Sequence, residues 1–115
     1  MDINSLFASI DAMDTKKFLT FLTDDASFNF GNADAAVGKE AIKKAVSDFF
    51  GLINGLRHSI LNTWEVDDAI ICHGEVTYTK KDDSEITLPF VNIFKMKENK
   101  IKNYSVYIDI GPLFQ

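Results

Sequence analysis

The hydrophobic pattern changes period halfway along the chain, and that change limits the folds open to it. Ile3, Leu6, Phe7 and Ile10 recur at the i, i+3, i+4, i+7 spacing of one helix face. A second short helix is expected from Asp14, placed to act as its N-cap, through Phe18, Leu19, Phe21 and Leu22, with Thr23-Asp24-Asp25 breaking it. Ala26 to Phe30 reads as a short strand and Gly31 to Val37 as a loop. Gly38 to Phe50 reads as a third helix, with Ala41, Ile42, Ala45, Val46, Phe49 and Phe50 apolar and Gly51 as its stop. From Leu56 on the period is two. Strands are expected over Leu56–Val66, Ala69–Thr79, Ile86–Met96 and Ile101–Ile110, joined at Asp67-Asp68, Lys80–Ser84 and Glu98-Asn99-Lys100. Three helices followed by consecutive hairpins define an α+β fold, its helices gathered on one face of a curved antiparallel sheet.

Alternation also sorts side chains by face. Leu56, His58, Ile60, Asn62 and Trp64 share the more apolar face of their strand, so His58, Asn62 and Trp64 are expected to look toward the helices. Ile70, Cys72, Gly74, Val76 and Tyr78 do the same in the next strand, leaving His73 on the polar side. In the last strand Tyr104, Val106, Ile108 and Ile110 oppose Asn103, Ser105, Tyr107 and Asp109, which taken alone puts Asp109 outside. Asp11 stands at the edge of the first helix's apolar stripe, either looking into a cavity or lying on the surface.

At 115 residues the chain is expected to form one domain over 1–115. Its 46% apolar and 25% charged residues are ordinary for a soluble globular protein. A net charge of −5 argues against nucleic acid or an anionic membrane as partner, since both demand clustered cations. The lone cysteine, Cys72, cannot form an internal disulfide, and the N-terminus carries no signal-peptide pattern, so the expected compartment is the cytoplasm. No glycine-rich phosphate loop, CxxC or HExxH is present, and His58 and His73 lie fifteen positions apart. Neither a metal nor a cofactor is expected.

The order of these motifs resembles one family throughout the chain. Leu22-Thr23-Asp24-Asp25-Ala26-Ser27-Phe28, Gly38-Lys39-Glu40-Ala41-Ile42, Phe49-Phe50, His58, Trp64, Gly74-Glu75-Val76, Pro89-Phe90, Lys100-Ile101 and Tyr107-Ile108-Asp109-Ile110-Gly111-Pro112-Leu113 are similar to the nuclear transport factor 2-like superfamily. The likeness is greatest to its SnoaL-like and ketosteroid isomerase-like branches. The resemblance implies a cone, with a strongly curved sheet around the helices, an internal apolar pocket, and a homodimer through the convex sheet face. It implies a hydrophobic small molecule as ligand, with Phe30, Trp64, Val91 and Tyr107 among the pocket walls.

Carried over residue by residue, the resemblance divides the possible chemistries. The ketosteroid isomerase base falls on Phe30, and its two carbonyl-polarising donors fall on Leu6 and Val91, so that chemistry is rejected. The SnoaL-like cyclases place an acid/base aspartate four residues before a leucine on the last strand, which Asp109 and Leu113 match. Scytalone dehydratase-like members place an aspartate near Asp11 and a histidine near His58. Their tyrosines fall on Ile10 and Phe30, and their second histidine near Tyr78 or Thr79. Asp109 is therefore the expected acid/base, with His58 and Asp11 assisting, of a cofactor-free proton transfer: isomerisation, cyclisation or dehydration. The alternative is a non-catalytic ligand-binding or dimeric interaction module.

Overall fold

The first two helices begin where an aspartate supplies a partner for the free N–H groups of the first turn. The computed structural model describes residues 1–115. Helix α1 (Ile3–Asp11) starts at Asp2, whose carboxylate accepts from the Asn4 N–H at 3.0 Å. Helix α2 (Thr15–Leu19) starts at Asp14, which accepts from the Lys17 N–H at 3.0 Å. Helix α3 (Lys39–Phe50) follows Gly38, whose φ of +88° is open to glycine and strained for other residues. The buried stripes are Leu6, Phe7 and Ile10 of α1, Phe18 of α2, and Ile42 and Val46 of α3.

The strands are β1 (Leu22–Phe30), β2 (Ala36–Val37), β3 (Gly55–Val66), β4 (Ala69–Thr79), β5 (Glu85–Lys97) and β6 (Lys100–Tyr107). They form one curved sheet in the order β2-β1-β6-β5-β4-β3. The architecture is α+β, three helices laid on the sheet's concave face. The hairpins from β3 to β6 are antiparallel, as the pattern suggests, whereas β1 runs parallel to β6 and makes the sheet mixed. That pairing joins segments some 75 residues apart in sequence, and nothing local encodes its direction (Phe28 lies opposite Tyr104). Strand β1 also starts earlier than expected. Thr23-Asp24-Asp25 continues the strand instead of breaking the chain, and the loop before α3 contains the short β2.

The largest departure from simple alternation lies in β3. Ile60 pairs with Gly74 and Asn62 with His73, so Leu61 is an extra residue without a partner. Beyond this bulge the faces exchange. Thr63 comes opposite Cys72 on the concave side, while Asn62 and Trp64 join His73 and Ile71 on the convex side. Trp64 is accordingly 49% exposed and Asn62 is exposed too, which corrects the expectation that they face the helices. Gly74 permits the bulge: a Cβ there would stand 2.2 Å from the Ser59 carbonyl oxygen. The last strand ends at Tyr107, so Ile108–Ile110 leave the ladder and lead into a short 3-10 turn, Gly111–Phe114.

The core fills one end of the concavity. Phe94 packs 4.5 Å from Tyr104, ring centre to ring centre, and Phe18 meets Tyr104 edge-on at 5.4 Å. Because the Gly74 contact is with backbone and cannot be relieved by a rotamer change, Gly74→Ala is expected to destabilise the protein by about 3 kcal/mol. Urea unfolding measures this, and a midpoint equal to the wild type would show that the bulge does not need glycine.

Candidate functional site

Where the core stops, the concave face opens into a cavity of about 210 Å³. Its walls come from the helices (Ile10, Phe18, Phe49, Phe50) and from side chains of all six strands, among them Phe30, Ala36, Leu56, Val76, Phe90 and Val106. The only charged group in its lining besides the His58 imidazole is Asp34, on the exposed loop after β1; no lysine or arginine lines it.

His58 enters this cavity from β3. Strand β3 is the sheet edge, so alternate backbone N–H groups find no neighbouring strand. Asp11, the last residue of α1, takes up one of them. Its Oδ2 accepts from the His58 backbone N–H at 3.0 Å, and its Oδ1 lies 2.6 Å from the His58 Nδ1. The two contacts to one residue fix both the strand and the ring. The His58 side chain is only 11% exposed and that of Asp11 28%. Phe7 and Phe90 hold the imidazole from two sides, at centroid distances of 4.9 and 5.3 Å. With Nδ1 held by the carboxylate, Nε2 has no hydrogen-bond partner in the chain. That is the arrangement of a histidine oriented by an acid so that its other nitrogen can exchange a proton.

Two tyrosines and an asparagine supply the remaining polarity. Tyr78 and Tyr104 line the cavity, and burial pushes both phenols far above their ordinary range. Neither hydroxyl is hydrogen-bonded within the chain. Asn92 is 2% exposed, and its amide oxygen likewise has no partner. Cys72 is buried beside Asn92 in the β4–β5 ladder, and burial raises its thiol against a smaller opposing effect of the Thr63 hydroxyl.

Of the residues expected to build the site, the structure brings together Asp11, His58 and Phe30. The others lie elsewhere. Val91 pairs with His73 and Tyr107 on the convex face, so its neighbours Phe90 and Asn92 are the residues of that strand that reach the cavity. An isolated polar residue between Phe90 and Phe94, on their own face, is the sequence signal that marks Asn92. Trp64 is carried outward by the bulge, and Tyr107 is 59% exposed. Asp109 sits beyond the end of β6, exposed and outside the cavity, where its Oδ1 accepts from the Gly111 N–H at 2.9 Å and closes the turn into the C-terminal 3-10 segment. The alternation of the last strand anticipates that placement; the aspartate–leucine spacing does not.

A curved sheet over three helices with a lined hollow between them defines a class, and the comparisons agree with it. The chain belongs to the SnoaL-like domain family, whose model matches residues 3–104. Among solved structures it is similar to TerC co-crystallised with polyporic acid, with a TM-score of 0.86 at 18% identity over 97% of this chain and 92% of that one. It is also similar to an NTF2-like protein of unknown function from Burkholderia pseudomallei (TM-score 0.88, 13% identity, 97% and 91% covered). A third is a putative SnoaL-like polyketide cyclase from Jannaschia sp. CCS1 (TM-score 0.84, 14% identity, 97% and 85% covered). At these identities the likeness is one of fold. No curated protein sequence matches the chain.

The buried phenols carry a pH signature. A folded-state pKa raised above the unfolded value of about 10 means that the native state keeps protons the unfolded state has lost, so stability falls as pH rises past about 10. Phenolate absorbance during alkaline titration should show Tyr78 and Tyr104 ionising only as the chain unfolds. Three tyrosines titrating freely in the folded protein would contradict their burial.

Proposed function

We propose that the protein binds a hydrophobic small molecule in this cavity and transfers a proton on it without a cofactor, with His58 as the acid/base and Asp11 as the group that orients it. The observation that carries the reading is the Asp11–His58 pair at the wall of an otherwise apolar hollow. An imidazole shielded from water and aimed by a carboxylate can take a proton from a bound carbon or oxygen acid and return it elsewhere on the same molecule. Isomerisation, cyclisation and dehydration all need that step. The likeness to TerC, co-crystallised with polyporic acid, and to a putative polyketide cyclase supports a ring-containing ligand. Asp109, outside the cavity, has no part in this reading.

A probe that requires only a base in a dry pocket tests it. The bicyclic 5-nitrobenzisoxazole opens to a cyanophenolate when a base removes its C–H proton and the N–O bond breaks. The wild type is expected to accelerate this opening over buffer, and His58→Gln to lose at least about 100-fold of kcat/KM. Asp11→Asn should lower it as well. Loss of rate in Asp109→Asn with His58→Gln unaffected would overturn the assignment, and binding of the probe without acceleration would leave a ligand-binding module.

We further propose that a second copy of the chain covers the convex sheet face. Supporting this, Trp64, Ile71, Val91, Ile93 and Tyr107 form an apolar surface across β3 to β6, with Leu61 and Val66, each 55% exposed, beside it. Sedimentation at micromolar concentration should give a dimer, and Trp64→Glu a monomer of unchanged fold. A monomeric wild type would exclude it.

A further inference from the structure

The cavity's polar groups say more about its occupant than its apolar walls do. Asn92 lies on the concave face of β5, opposite Cys72 of β4 and Val106 of β6, so neither neighbouring strand offers its side chain a hydrogen-bond partner. Its amide oxygen is fully buried and unpartnered, and the residue lines the cavity. Burying such a group unpaired carries a desolvation cost that leucine at the same place would not. The Tyr78 and Tyr104 hydroxyls line the same space, also unpaired, and are held in their neutral donor form by burial. No lysine or arginine lines the cavity to balance an anion.

We infer that the cavity selects a neutral, oxygen-bearing ring compound and that Asn92 recognises a hydroxyl on it. A hydroxyl both donates and accepts, so it satisfies an amide presented by either end. The volume agrees: a cavity of about 150 Å³ holds benzene, so the larger hollow here admits a substituted ring or two fused rings. The inference rests on the cavity being a ligand site, as proposed above, and adds what the ligand must carry. In that setting Asn92 is a specificity-determining residue, since a hydroxyl left without its partner, or an amide left without its hydroxyl, weakens binding where an apolar contact would not.

The test uses naphthalene, 2-naphthol and 2-naphthoate as probes of one shape, titrated calorimetrically into the intact protein. The wild type is expected to bind 2-naphthol about tenfold more tightly than naphthalene and 2-naphthoate most weakly. In Asn92→Leu the preference for 2-naphthol should vanish while naphthalene binds as well as before or better, with thermal unfolding reporting that the variant is folded. Equal wild-type affinities for naphthalene and 2-naphthol overturn the inference without recourse to any variant. So do tightest binding of 2-naphthoate and a preference for 2-naphthol that survives Asn92→Leu. Failure of all three probes to bind the wild type would instead remove the cavity-ligand reading on which the inference stands.

Discussion

The bond between Asp11 and His58 is the constraint on which the site depends. An edge strand normally leaves half its backbone groups to solvent, and a surface histidine rotates freely. Here one carboxylate at the end of the first helix satisfies a strand N–H and a ring nitrogen together. The helix layer is thereby tied to the far edge of the sheet, and the imidazole has one orientation. Phe7 and Phe90 keep water from competing for those contacts. The arrangement uses three elements that are distant in sequence, which is why it needs the fold to exist at all.

Curvature is the second requirement, and it comes from irregularity. The extra residue at Leu61, the close approach at Gly74 and the register shift between Lys95 and Met96 bend strands that would otherwise lie flat. A flat sheet would meet the helices along its whole face. A bent one meets them at one end and leaves a hollow at the other, walled by Phe30, Leu56, Phe49 and Phe90. The same bulge turns Trp64 outward, so one inserted residue sets both the shape of the inside and the character of the outside.

Much of the fold was legible because its determinants are local. The N-cap at Asp14, the helix ending in Phe49-Phe50 and the inward alternation of Ile70, Cys72, Val76 and Tyr78 follow from spacing alone, and so does the inward His58. The candidate site was only partly legible. The parallel pairing of β1 with β6 is a long-range choice with no local trace. The face exchange after Leu61 was signalled only by a glycine inside a strand, and a shift of one position separates the convex Val91 from the concave Asn92. For Asp109, the alternation of its own strand was a better guide than a spacing shared with relatives, because the strand ends before the aspartate and the side chain is spent on a turn.

An unfilled hollow inside a core forfeits contacts that a solid core would make. The energy of those contacts is available to a molecule that fills the hollow. An occupant that fits returns part of that energy to the native state by mass action. For any compound that fits, resistance to digestion by proteases is then a readout of binding.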